Sequence, residues 1–292
     1  MIDKFLDYLR LERNYSVRTV DEYGKALRLF ESYFCLLDTH LSWETLDSDV
    51  IRGWMESMMD KGNTATSVKQ RLSAVRSFYR FLLRKKVVEV DPSHGVENPK
   101  AEKPLPTFLT EKDMEKVLDP QMWDESYKSC LARTIIILLY ETGVRASELM
   151  GLDWADVDFA RSELKVTGKR NKQRLIPFGA KLEEVLKDYK SKLDSLPEVL
   201  SSALFVSEKG RRLTYTQLHT MVRGALGKVV TLKKRSPHVL RHTFATAMLN
   251  HDAALQGVQK LLGHESLATT EIYTHTTFDR VRKVYQSAHP RD

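Results

Sequence analysis

The feature that most restricts the fold is a proline-bearing stretch, HGVENPKAEKPLPTFLT, at residues 94–110. Pro99, Pro104 and Pro106 each lack a backbone donor and disfavour helix in the residue before them. With little apolar content around them, they predict an extended linker. One unit is then expected over residues 1–93 and a second over 111–292. A chain of 292 residues can bury a core in each.

The first unit reads as wholly helical. Phe5, Leu6, Leu9 and Leu11 begin one amphipathic run. Val20, Tyr23, Ala26, Leu27, Phe30, Tyr33 and Phe34 continue at i, i+3, i+4 spacing. Leu46, Val50, Ile51, Trp54, Met55 and Met58 make a third helix, capped by Asp47 or Ser48, and residues 66–86 a fourth. The expectation is a bundle of four or five helices.

The second unit mixes periods. Residues 111–118 and 129–141 look helical. ELKVTG (163–168) and RLIPF (174–178) look like strands, joined by the polar turn KRNKQ (169–173). Helices are expected at 180–191, 215–229, 237–250 and 253–262, with shorter ones near 266–274 and 278–287. The predicted class is mainly α: a helical bundle followed by an α-rich domain with a small antiparallel β-sheet.

Composition excludes several classes. The N-terminus MIDKFLDYLR has no signal-peptide core. The apolar run Ile135–Tyr140 is far shorter than the roughly 20 residues of a membrane helix. Cys35 and Cys130 sit in helix-like apolar runs and read as small core residues in a reducing compartment. A cytoplasmic protein with no membrane partner is expected. The net charge of +7 permits a polyanionic partner without requiring one.

Five segments carry chemistry. Residues 61–88 hold eight basic side chains and no acid. Val68, Leu72, Val75, Tyr79 and Leu82 form one helical face, flanked by Lys69, Arg76, Arg80 and Arg84. Such a helix can bury the first face and lay the second along phosphates; a solvated face would ordinarily mix signs. In LLYETGVRASELMGLDW (138–154) a helix stops at Gly143 and another starts near Ala146. Arg145 lies in the break, placed to present its fork to an oxyanion or to pair with Glu148. VTGKRNKQRLIP (166–177) gives a hairpin tip with Lys169, Arg170, Lys172 and Arg174.

In SPHVLRHTFATAML (236–249), Ser236 suits an N-cap and Pro237 the first helical position; His238 and Arg241 share a face. His238 and His242 have a two-His metal spacing, but the HExxH glutamate and an evident third ligand are absent, so no metal is expected. In LLGHESLATTEIYTHTT (261–277), Gly263 is a natural C-cap and His264 sits in a turn. Tyr273 has few apolar neighbours to make it a core residue. Singly, most of these fit ordinary structural roles. Together, arginines, histidines, a lysine and a tyrosine suit attack on a phosphodiester.

TGVRASELMGLDW, TGKRNKQRLIP, HVLRHTFATAML and LLGHESLATTEIYTH resemble, in order and spacing, the signature segments of the tyrosine recombinases, the Xer type in particular. FLDYLRLERNYSVRTVDEY resembles the start of that family's SAM-like core-binding domain, so the likeness covers essentially the whole chain. The resemblance implies that Arg145 and Arg241 bind the scissile phosphate and that Lys169 protonates the 5′-hydroxyl leaving group. It implies that His238 assists proton transfer, that His264 hydrogen-bonds the phosphate and that Tyr273 is the nucleophile. Glu148 matches a supporting acidic position. Arg170 departs from the pattern, standing where the family commonly has glycine; with Lys172 it is a candidate DNA contact.

The same resemblance implies double-stranded DNA as partner and chemistry that needs no metal, ATP or other cofactor. It implies four protomers on two sites, as a homo-tetramer or a hetero-tetramer with a paralogous recombinase. It admits a division-associated DNA translocase as activator. Val281, Val284, Tyr285 and Ala288 would give a C-terminal tail an apolar face for a neighbouring protomer or for its own domain. The expected function is Xer-like resolution of chromosome or plasmid dimers. A mobile-element integrase or transposase has the same chemistry. Many integrases add an arm-binding domain before the bundle, whereas here the bundle starts near residue 2, which favours the simple recombinase. A type IB topoisomerase would relax DNA without exchanging strands, and an architectural DNA-binding protein would bind without forming an adduct.

Overall fold

The helical first half follows from its apolar spacing. The computed structural model describes residues 1–100, 107–168, 171–230, 235–263, 284–285 and 288. It divides into two units, Met1–Pro104 and Leu105–Asp292.

In the first unit, α1 (Ile2–Leu11), α2 (Val17–Leu37), α3 (Ser48–Asp60) and α4 (Ala65–Arg84) form a bundle. Side-chain caps set three of the starts: Ser16 accepts from the Thr19 amide, Asp47 from those of Asp49 and Val50, and Thr64 from that of Ser67. The face of α4 read from its period (Val68, Leu72, Val75, Tyr79 and Leu82) is buried throughout. Trp43, from the loop before α3, fills the middle, edge-on to Phe78 at 4.7 Å and to Phe34 at 5.1 Å. Two expectations are corrected. Leu11 is 74% exposed as the last residue of α1, and Cys35 is exposed on α2, off the face that buries Phe30 and Phe34.

The second unit is built around α6 (Tyr127–Thr142), buried from Leu131 almost continuously to its end. An all-round apolar helix must be covered on several sides, and α8 (Ala180–Asp194), α9 (Tyr215–Val229) and α10 (Pro237–Asn250) pack against it. α5 (Glu111–Leu118), α7 (Ala146–Met150) and α11 (Leu255–Leu262) complete the described α-helices. The sheet is antiparallel in the order β1 (Val157–Asp158), β2 (Glu163–Thr167), β3 (Gln173–Pro177), with Leu164 opposite Ile176 and Val166 opposite Arg174. β1 escaped the sequence pattern because two residues have no period. Ser236 precedes α10 in extended geometry but its side chain makes no capping bond, so Pro237 and packing define that start.

Val96 is buried with the first core and Leu109 with the second. The Leu109 amide also donates to Thr243 Oγ1 of α10 at 2.9 Å. Tyr285 and Ala288 pack into the second unit's own core, and Val284 lies 2.8 Å from where a Cβ on Gly257 would stand. The helices expected near 266–274 and over most of 278–287 fall outside the described residues.

Candidate active site

Two helix ends build the centre of the site. α6 stops at Gly143, with φ +59°, and α11 stops at Gly263, with φ +64°. Each ends in the left-handed conformation that glycine adopts without steric cost. Each thereby turns carbonyls, carrying the partial negative charge of a helix C-terminus, toward the same place. Guanidiniums occupy it. Arg241 is buried and donates from Nη1 to the Gly143 carbonyl at 2.6 Å and from Nη2 to that of Leu262 at 2.7 Å. Arg145 donates from Nη2 to the next carbonyl, Gly263, at 3.0 Å.

Arg145 sits at the N-cap of α7 in extended backbone geometry. Its amide donates to Glu148 Oε2 at 2.8 Å, and its Nη1 to Glu148 Oε1 at 2.8 Å. The pairing with Glu148 and the presentation of the guanidinium at the helix start are therefore one arrangement. Glu148 in turn receives Arg174 from β3, Nη1 to Oε1 and Nη2 to Oε2, both at 2.8 Å. Gly168, at the end of β2, leaves space for this carboxylate: a Cβ there would lie 3.3 Å from Oε1.

Burial alone would raise the Glu148 pKa. The Arg174 fork and charge, with the Arg145 bonds, outweigh it and bring the group down to about 2. Burial, then the neighbouring Arg145, draws Arg241 down to about 10, so it stays cationic at neutral pH. Partial desolvation, followed by His242, Arg241, His219 and Arg145, pushes His238 below its ordinary value and leaves it a neutral imidazole able to accept a proton. Among the described residues three guanidiniums face a single carboxylate here, an excess of positive charge suited to an oxyanion.

The depressed Glu148 has a consequence for stability. A carboxylate lowered from 4.5 to about 2 contributes stability that is complete above pH 4.5 and drains away as pH falls through 2. At about 1.4 kcal/mol per pH unit this is on the order of 3 kcal/mol. Thermal midpoints measured between neutral and strongly acid pH should fall more steeply for the parent chain than for Glu148→Gln. Parallel curves would remove Glu148 from the acid response.

Of the sequence-derived candidates, the structure brings Arg145, His238 and Arg241 together. Lys169, Arg170, His264 and Tyr273 lie outside the described residues. Lys172 is exposed on the hairpin, its carbonyl accepting from the Gly168 amide at 2.7 Å. On α4, Lys69 and Arg80 are exposed. Arg76 is committed to Asn98 Oδ1 at 3.0 Å and to the Val96 carbonyl, and Arg84 bonds the Tyr8 hydroxyl and lies over its ring. The basic stripe is thus partly internal structure.

Sequence reasoning missed Arg174, taken for an exposed hairpin base and found buried. The signal was present: on a strand, Arg174 shares a face with Ile176, a core residue. His219 of α9, in ring contact with Tyr215 at 4.3 Å, was also passed over, and a lone helical histidine gives no signal.

The phage integrase family matches residues 107–280, and the N-terminal SAM-like domain of phage integrases matches residues 2–86. The chain is 37% identical to tyrosine recombinase XerC of Pelotomaculum thermopropionicum, over 99% of this chain and 98% of that one. It is 34% identical to tyrosine recombinase XerD of Oceanobacillus iheyensis, over 99% and 98%. A crystal structure of the XerH site-specific recombinase bound to a palindromic difH substrate, in a post-cleavage complex, superposes with a TM-score of 0.72. That match is 23% identical and covers 97% of this chain and 83% of that one, a likeness of fold.

Proposed function

The chain belongs to the phage integrase family of tyrosine recombinases and is a site-specific DNA recombinase with Xer-like relatives along its whole length; from that premise we propose how its residues divide the reaction. Arg145 and Arg241 hold the non-bridging oxygens of the scissile phosphate. Tyr273 Oη attacks phosphorus, its proton passing to His238. A 3′-phosphotyrosyl ester forms, the bond to the 5′ oxygen breaks, and Lys169 protonates that oxygen. His264 donates to the phosphate. The ester keeps the energy of the broken phosphodiester, so a second 5′-hydroxyl can reverse the step and exchange strands.

The observation that carries this reading is the convergence of two guanidiniums on the consecutive carbonyls Leu262 and Gly263, directly before His264. Cations fixed in that way can neutralise a phosphorane without reorganising at the moment of reaction. The reading extends to a cytoplasmic enzyme working as four protomers on two DNA sites, alone or with a paralogous recombinase. Its role is dimer resolution, with a division-associated translocase as activator.

The test is covalent trapping in metal-free buffer on nicked duplexes tiled across the host replication terminus and neighbouring mobile elements. Adducts on denaturing gels are expected, and sequencing of the captured duplexes should return terminus sites. Capture at element ends would assign the enzyme to a mobile element instead. Binding without an adduct, with any paralogue supplied, would sink the catalytic roles.

The phosphate-contacting surface is proposed to include Lys69, Arg76, Arg80 and Arg84 of α4 and Arg170 and Lys172 of the hairpin. Lys69 and Arg80 are its clearest members, since Arg76 and Arg84 also hold the bundle together. Lys69→Ala with Arg80→Ala should weaken binding and reduce the slope of log affinity against log salt by about two. An unchanged slope would return that face to solvent.

A further inference from the structure

We propose that Arg174 is a positioning residue for strand cleavage, fixing the direction of the Arg145 guanidinium through the carboxylate they share. The inference rests on the reading that Arg145 holds the scissile phosphate. Arg174 is 8% exposed and spends its fork on Glu148, one bond to each oxygen at 2.8 Å. Its Nε donates to the Leu261 carbonyl at 2.9 Å. A Cβ on Gly263 would lie 3.2 Å from its Nη1, so the end of α11 closes directly upon it.

Glu148 therefore receives two bonds from Arg174 and two from Arg145, one of each on each oxygen. A carboxylate gripped in the plane by one guanidinium has its remaining lone pairs aimed, and these hold Arg145. The Arg145 side chain is 37% exposed and anchored elsewhere, among the described residues, only by the Gly263 carbonyl. That carbonyl belongs to the same helix end that Arg174 ties down. Arg174 thus sets both anchors of a more exposed neighbour. Its own burial removes it from contact with DNA, although it stands two residues from the exposed Lys172.

The fork is what matters, so lysine is not an equivalent substitute. The experiment measures single-turnover cleavage within preformed protein–DNA complexes. Unfolded protein does not bind and so drops out of the rate. Parent and Arg174→Lys are compared on two nicked substrates carrying the captured site: one with the ordinary scissile phosphodiester, one with a neutral methylphosphonate there. Removing the anionic oxygen lessens the demand for a correctly aimed guanidinium.

Arg174→Lys should slow cleavage of the phosphodiester by about tenfold or more. It should leave DNA affinity near the parent value, and most of the loss should vanish on the methylphosphonate. Equal losses on both substrates would make Arg174 merely structural, and no loss on either would deny it a role; both overturn the proposal. Arg174→Gln combined with Glu148→Gln, which removes both charges of that buried pair together, gives a second route and should show the same dependence on substrate. Arg145→Ala separates the two readings. If it cleaves the phosphodiester at the parent rate, the role of Arg145 falls. If it is impaired while the Arg174 variants are not, only the present inference falls.

Discussion

Tyr273→Phe is expected to give no covalent protein–DNA adduct where the parent enzyme gives one, with cleavage slowed by at least about four orders of magnitude. The substitution removes one oxygen and keeps the ring, so binding should stay close to the parent. Among the described residues, four other tyrosines are poorly suited to take over. Burial pushes the hydroxyls of Tyr79, Tyr127 and Tyr189 above the ordinary tyrosine range, away from the phenolate, and Tyr285 is enclosed in the second core. A hydroxyl attack also needs a base, the role proposed above for His238, whose pKa lies below its ordinary value. An adduct that survived Tyr273→Phe would show that another residue is the nucleophile. Loss of binding together with the adduct would mean that the variant had failed for another reason, and gel-shift titration separates the two.

What the sequence disclosed of this site is uneven, for physical reasons. Helix periods and caps are local, so α9, α10 and the start of α7 were legible to within a residue, as was the break at Gly143. The pairing of Arg145 with Glu148 is likewise local, three residues apart. Long-range anchoring was not legible. Nothing in the sequence says that Arg241 reaches the carbonyls of Gly143 and Leu262, because main-chain acceptors have no residue identity to read. Arg174 was misjudged because a dense run of bases suggests a wet hairpin tip, while strand alternation, the weaker cue over five residues, placed it inward. Trp43 was missed because it lies in a loop, where no period marks a core position.

Gly143→Ala is expected to destabilise the second unit strongly. Its φ of +59° costs an L-residue about 1–2 kcal/mol. The added Cβ would stand 2.4 Å from Phe244 Cδ1 and 2.9 Å from Leu262 Cδ2, two buried core side chains. Overpacking of that kind costs about 1–3 kcal/mol more. A total of roughly 2–5 kcal/mol should appear as a lowered midpoint for the second unit in guanidinium chloride. Phe244 lies on the helix that carries Arg241, so cleavage should fall even where the variant is folded. Gly224→Ala is the control. It lies on the exposed side of α9 with nothing within 4 Å, and it should gain about 0.5–1 kcal/mol from helix propensity. Equal effects at the two positions would show that the packing around Gly143 is looser than its distances.

One buried cation of the site, Arg241, is gripped by oxygens that no codon specifies. A side-chain partner can be deleted by one base change; the Gly143 and Leu262 carbonyls persist through every substitution that preserves the course of the chain. Leu262 can exchange for another apolar residue over evolutionary time without releasing the guanidinium. The charge is inherited with the path of the backbone, so lineages can drift far apart around it and still keep it in place. The fragility that ordinary sites distribute over many partners is concentrated in this one at two left-handed glycines.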